Sequence, residues 1–114
     1  MISGGRSAGS QVACRTAEQL GALAVLALAY PLVGPGNPVE LLATGRPTLV
    51  LQGTRDPFGS PDQFPALPPW MEMTEIPDAG HTFDTAGVRP RATTMDLIVT
   101  ATSRWIARQL ATRA

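Results

Sequence analysis

The apolar positions along this chain change their spacing several times, and each change marks a structural element. Between Gly9 and Leu20, small and apolar residues fall at Val12, Ala13, Thr16, Ala17 and Leu20. That is the i, i+3, i+4 pattern of an amphipathic helix, with Gln11, Arg15, Glu18 and Gln19 left for its outer face. Gly21 supplies a stop, and Ala22 to Leu28 then runs apolar without alternation, as a strand covered on both faces does. Tyr30-Pro31 ends that strand. The Pro- and Gly-rich stretch from Pro31 to Arg46, which includes Gly34, Pro35 and Gly36, reads as a loop with at most a short helix near Pro38 to Leu42.

The next strand, Pro47 to Gln52, is entered through a proline, which is tolerated at a first strand position. It empties into Gly53-Thr54-Arg55-Asp56-Pro57-Phe58-Gly59, and Ser60-Pro61-Asp62 then starts a short helix that Pro65, Pro68 and Pro69 soon end. Trp70 to Ile76 sets Met71, Met73 and Glu75 against Trp70, Glu72, Thr74 and Ile76, a half-exposed strand near a sheet edge. From Pro90 to Ala111 a helical stripe carries Met95, Ile98, Val99, Thr102, Trp105, Ile106 and Leu110. With Met1 to Gly4 as a strand ahead of the first helix, this alternation predicts one α/β domain over residues 1–114. It has three layers: a mainly parallel sheet of about four strands with helices on its flanks.

Composition narrows the partners. The chain has 114 residues, nine basic and nine acidic, and the basic ones are all Arg, dispersed without a run. No electrostatic footprint for nucleic acid or an anionic membrane follows from that. The single cysteine, Cys14, has no internal disulfide partner and falls within the first predicted helix, where it reads as a small buried apolar residue. With one histidine and no CxxC pair, no metal or other cofactor is implied. The apolar run from Leu20 to Tyr30 has a second reading as a secretory leader, with Arg6 and Arg15 ahead of it and Ala27-Leu28-Ala29 as a cleavage site. Glu18 at its entrance and the Gly- and Ser-rich region upstream favour a buried strand instead, and the expected location is cytoplasmic.

Three polar residues stand just after predicted strands: Ser7, Asp56 and His81. In a parallel sheet these points share the carboxyl edge, where open α/β folds bind ligands. Ser7 is the centre of Gly5-Arg6-Ser7-Ala8-Gly9, the GxSxG pattern of a sharp strand-to-helix turn whose flanking glycines are expected to leave no room for a side chain. A serine hydroxyl is a weak nucleophile at neutral pH, so His81 is expected to take its proton and Asp56 to orient and stabilise the imidazole. The Ala8 N–H, at the start of the following helix, is placed to stabilise an oxyanion. Arg6 is a candidate contact for an anionic substrate group or a structural ion pair. Asp62, Asp78 and Asp84 stand as alternatives to Asp56, whose place before Pro57 is also that of an ordinary turn residue.

Gly4-Gly5-Arg6-Ser7-Ala8-Gly9, Leu51 to Gly59 and Gly80-His81 together resemble the α/β-hydrolase superfamily, and within it the small dienelactone-hydrolase-like group. That group is related to the hydrolase-like subunit of a histone acetyltransferase complex. The order Ser, Asp, His is that of the superfamily. The resemblance implies a serine hydrolase acting on an ester, thioester or related acyl bond of a small molecule, with Ser7, Asp56 and His81 as nucleophile, acid and base. It covers the C-terminal half of the family's fold, so the chain is expected to be N-terminally truncated. The loop that carries a second oxyanion donor is then absent, a loss of about 2.7–4 kcal/mol of transition-state stabilisation. The first strand would also be an unpaired, hydrophobic edge, suited to a homo-oligomer or a partner chain. The alternative function is a non-catalytic hydrolase-like remnant or interaction module.

Overall fold

The computed structural model describes residues 1–33 and 38–113; the loop expected at Gly34 to Gly36 lies outside the described residues. The elements in chain order are β1 (Ile2–Arg6), α1 (Ala8–Leu20), β2 (Ala24–Leu28), α2 (Val39–Leu42), β3 (Thr48–Gly53), a 3-10 turn (Pro61–Gln63), β4 (Met71–Ile76) and α3 (Arg91–Arg113). The four strands form one sheet in the order β1-β2-β3-β4, and each neighbouring pair is parallel.

Period-two alternation on the inner strands builds two cores. Val25, Ala27, Val50 and Met71 turn to the face covered by α1 and α2, where they meet Ala13, Cys14, Ala17, Tyr30 and Leu41. Ala24, Leu49, Leu51 and Ile76 turn to the opposite face and meet Trp105 of α3. Every residue of β3 is buried, as a central strand of a three-layer fold requires. Trp105 is the largest fully buried side chain, and truncating it to Ala costs about 3–5 kcal/mol.

The helices bury narrower faces than their apolar patterns predict. On α1 the buried line is Ser10, Ala13, Cys14 and Ala17, while Val12 and Leu20 are exposed. The helix leaves β1 through a very tight turn and lies close to the sheet, so small side chains fit beneath it and larger ones turn outward. Gly21 ends it in the left-handed region (φ 64°), its N–H donating to Glu18 O at 3.0 Å. On α3, Thr94, Ile98, Ala101 and Trp105 make the inward line, and Met95, Val99 and Leu110 of the predicted stripe are exposed. This helix lies over β3 and β4, so a single ridge of it reaches the sheet.

The remaining differences are local. The strand expected from Ala22 begins at Ala24, and the helix expected at Ser60 is one 3-10 turn, held by the Ser60 N–H donating to Gln63 Oε1 at 2.9 Å. The edges of the sheet are β1 and β4. Contrary to the expected hydrophobic edge, β1 reads Ile2-Ser3-Gly4-Gly5-Arg6 and brings one apolar side chain. No helix among the described residues is long and apolar enough to cross a membrane. The run from Leu20 to Tyr30 supplies the end of α1 and all of β2, paired on both sides.

Candidate active site

β1 ends at Arg6 and α1 begins at Ala8, so Ser7 alone makes the turn. Its backbone (φ 54°, ψ −123°) lies where non-glycine residues are rarely found, at a cost of about 1–3 kcal/mol. Hydrogen bonds on both sides hold it there. The Ser7 N–H donates to Leu28 O at 2.9 Å, and Ser7 O accepts from the Ser10 N–H at 2.8 Å and the Ser10 hydroxyl at 2.5 Å. A β-carbon on Gly5 would lie 2.3 Å from Gly9 O, so position 5 requires glycine. Gly9 is different, because a β-carbon there meets nothing within 4 Å. The expected demand for glycine at both positions therefore holds at Gly5 alone; Gly9 contributes its backbone.

Asp56 sits in the loop after β3, which is laced to the end of β4. The Thr54 N–H donates to Ile76 O at 3.1 Å and the Arg55 N–H to Ala79 O at 2.9 Å. The Asp56 side chain is fully buried. Its Oδ1 accepts the Phe58 N–H at 2.9 Å, an Asx-type turn that fixes the carboxylate plane. His81 follows β4 in a compact loop closed by the Gly80 N–H donating to Asp84 O at 2.9 Å. The Phe58 ring packs at 4.6 Å from the imidazole, tilted by 53°.

These loops bring the side chains of Ser7, His81 and Asp56 into one hydrogen-bonded line. Ser7 Oγ lies 2.7 Å from His81 Nε2, across 74 residues of sequence. His81 Nδ1 lies 2.9 Å from Asp56 Oδ2 and 3.1 Å from Oδ1, across 25 residues. An ionised carboxylate only accepts, so His81 Nδ1–H donates to it. In the neutral ring Nε2 is then an acceptor, and the Ser7 hydroxyl donates to it. The imidazole is one-fifth exposed and the carboxylate not at all.

The other predicted residues fall as follows. Asp78 pairs with Arg55 (3.5 Å) and Arg89 (2.9 Å), Asp84 accepts the Ala86 N–H at 3.0 Å, and Asp62 is bonded to the Ser60 hydroxyl. None of these three carboxylates is bonded to His81 in the structure. Ala8 is the first residue of α1, where an N–H has no carbonyl one turn back to receive it. Arg6 is exposed on the rim of a cavity of about 250 Å³, and among the described residues it makes no salt bridge. Neither this cavity nor a larger one, about 470 Å³, is lined by Ser7, Asp56 or His81.

Gln52, at the end of β3, is a positioning residue that the residue pattern alone did not reveal. Buried completely, it accepts the Tyr30 N–H at 3.0 Å through Oε1. Its Nε2 stands 2.7 Å from Gly59 O, 2.9 Å from Tyr30 O and 3.3 Å from Asp56 Oδ2. An amide nitrogen has two protons, so the shorter contacts to Gly59 and Tyr30 use them and the carboxylate receives the weaker share. Gln52 thus ties the end of β2 to the Asp56 loop. The available signal was an amide at the end of an otherwise buried strand, since such a group must find partners. Cys14 is buried on α1, and burial, with a smaller contribution from Glu40, pushes its thiol up to about 12. It is a protonated core residue at neutral pH.

Two solved structures share this architecture. An esterase domain from a Rhodothermus marinus protein aligns with 95% of this chain and 59% of its own, at 13% identity and a TM-score of 0.64. An alpha-beta serine hydrolase homologue from Coxiella burnetii aligns with 70% of this chain and 40% of its own, at 20% identity and a TM-score of 0.56. At such identities the likeness is one of fold, and this chain spans well under two thirds of either structure. A search of curated protein sequences gives no match. A family model described as an alpha/beta hydrolase domain matches residues 1–108, and on that match the chain belongs to the alpha/beta hydrolase domain family.

Proposed function

We propose that this chain is a serine hydrolase that cleaves an ester, thioester or related acyl bond through an acyl-enzyme. The observation that supports the reading is the bonded line from Ser7 Oγ through His81 to Asp56, at 2.7 and 2.9 Å. Ser7 Oγ attacks the acyl carbon as its proton passes to His81 Nε2, and Asp56 stabilises the imidazolium that forms. The same proton then goes to the leaving alkoxide or thiolate, and the acyl group stays on Ser7. Water repeats the sequence in reverse roles, freeing the acid and restoring Ser7. The Ala8 N–H and the N-terminal field of α1 stabilise the tetrahedral oxyanion.

A fluorophosphonate probe tests this reading. Phosphonylation at Ser7, located by peptide mass spectrometry, is expected; Ser7→Ala abolishes it, and Asp56→Asn slows it by about 10³–10⁴-fold. A folded chain that takes no label contradicts the proposal. It would favour the second reading, an interaction module, for which the one-sided pairing of β1 at the sheet edge is the specific observation.

A further inference from the structure

The chain has three phenylalanines. Phe64 and Phe83 pack against the two cores, as large apolar side chains do. Phe58 is 48% exposed, and its ring rests on the His81 imidazole with the centroids 4.6 Å apart and the planes tilted by 53°. Its backbone is held on both sides: the N–H donates to Asp56 Oδ1 at 2.9 Å, and the carbonyl accepts the Val33 N–H at 3.0 Å. The next residue, Gly59, passes so near Leu32 that a β-carbon on it would lie 2.6 Å from the Leu32 β-carbon. An aromatic ring is thus fixed beside the base with much of its surface open to solvent, which forgoes a large part of the burial energy such a ring brings to folding.

In the acyl transfer proposed above, the acyl–oxygen bond breaks as the departing alkoxide takes from His81 Nε2 the proton that Ser7 gave it. To take that proton, its oxygen has to come within about 2.6–3.2 Å of Nε2. The leaving group and the Phe58 ring therefore have the same small imidazole as a neighbour. The acyl group is tied to Ser7 instead.

We infer that Phe58 is the specificity-determining wall of the leaving-group site, so that the substrate is an ester or thioester of an alcohol or thiol that carries an aromatic ring close to its reacting atom. This rests on the hydrolase reading, with Ser7 as the nucleophile. The exposed ring offers offset or edge-to-face stacking to a second ring. Because its backbone is already held, little ordering is lost when that contact forms. A leaving group as small as methoxide is too short to cover the ring and gains none of this.

Benzyl acetate and methyl acetate share the acyl group and release alkoxides of similar basicity, so the ratio of their kcat/KM values isolates the contact with the leaving group. The ratio is expected to favour benzyl acetate by about tenfold or more, to fall about five- to tenfold in Phe58→Ala and to be kept in Phe58→Tyr. Each variant is its own reference, so a general loss of activity or of folded protein cancels. Both esters form the same acetyl-enzyme, so where its hydrolysis limits turnover they share one kcat and the loss in Phe58→Ala appears in KM. A ratio near one, or one that Phe58→Ala leaves unchanged, overturns the inference; fluorophosphonate labelling of Ser7 in the same protein then leaves the hydrolase reading standing. Absence of both labelling and turnover overturns the hydrolase reading and the inference with it.

Discussion

A β-carbon placed on Gly53 would lie 2.3 Å from the carbonyl oxygen of Ala79. The two residues lie in the segments that carry Asp56 and His81, so the approach of those side chains depends on a backbone contact three residues before the one and two before the other. Both loops are pinned at that contact by the Arg55 N–H, which donates to the same Ala79 oxygen at 2.9 Å.

Gly53→Ala is therefore expected to destabilise the fold by about 1–3 kcal/mol, as overpacking against backbone does, and to part His81 from Asp56. Urea denaturation measures the first effect. Loss of the downfield Nδ1 proton resonance reports the second, and an unchanged resonance with unchanged stability contradicts this account.

Gly5 and Gly9 give a matched pair of substitutions. Gly5→Ala places a β-carbon 2.3 Å from Gly9 O and is expected to prevent formation of the Ser7 turn. Gly9→Ala meets nothing within 4 Å and lies in the first turn of α1, so it is expected to be neutral or to stabilise by up to about 1 kcal/mol. Thermal melts of the two variants check the contrast, and similar losses in both would refute it.

Gln52→Leu removes the buried amide between β2 and the Asp56 loop, leaving the Tyr30 N–H, Tyr30 O and Gly59 O without their partner. Each stranded group costs about 1–3 kcal/mol, so a loss above roughly 3 kcal/mol is expected in denaturant titration. A change under about 1 kcal/mol would mean that water replaces the amide.

The raised thiol of Cys14 makes stability fall in alkali. In the folded chain it holds its proton up to about 12, against 9.0 when unconstrained, with burial the main cause. Between those values the unfolded chain has released the proton and the folded chain has not. Its contribution is complete below pH 9 and declines as pH rises toward 12. Cys14→Ala is expected to flatten that decline in a pH series of urea midpoints, and a decline of the same slope in the variant would exclude the thiol as its source. Native Cys14 should also resist iodoacetamide at pH 8 and react once unfolded.

Much of this architecture was legible in the chain itself. The unalternating β2 and β3 runs, the glycine stops and the polar residues at strand ends led to four parallel strands with Ser7, Asp56 and His81 on one edge. Helix faces were less legible. Val12 and Leu20 fit an apolar stripe on α1, yet Ser10 and Cys14 take the buried places because the Gly5–Gly9 approach leaves room for small side chains beneath the helix. Met95, Val99 and Leu110 likewise match the period of α3 but find no sheet to cover them.

Sequence by itself determined which elements form and in what order, because hydrophobic period, proline and glycine act within a few residues. It also determined that the polar residues after the strands share an edge, since parallel crossovers allow no other arrangement. Only the tertiary structure shows which of Asp56, Asp62, Asp78 and Asp84 is bonded to His81, because that bond depends on how two loops pack across β3 and β4. The same long-range packing made Gln52 a hub and left Arg6, Arg91 and Thr94 around one cavity. Those relationships join residues that are distant along the chain, and no local pattern encodes them.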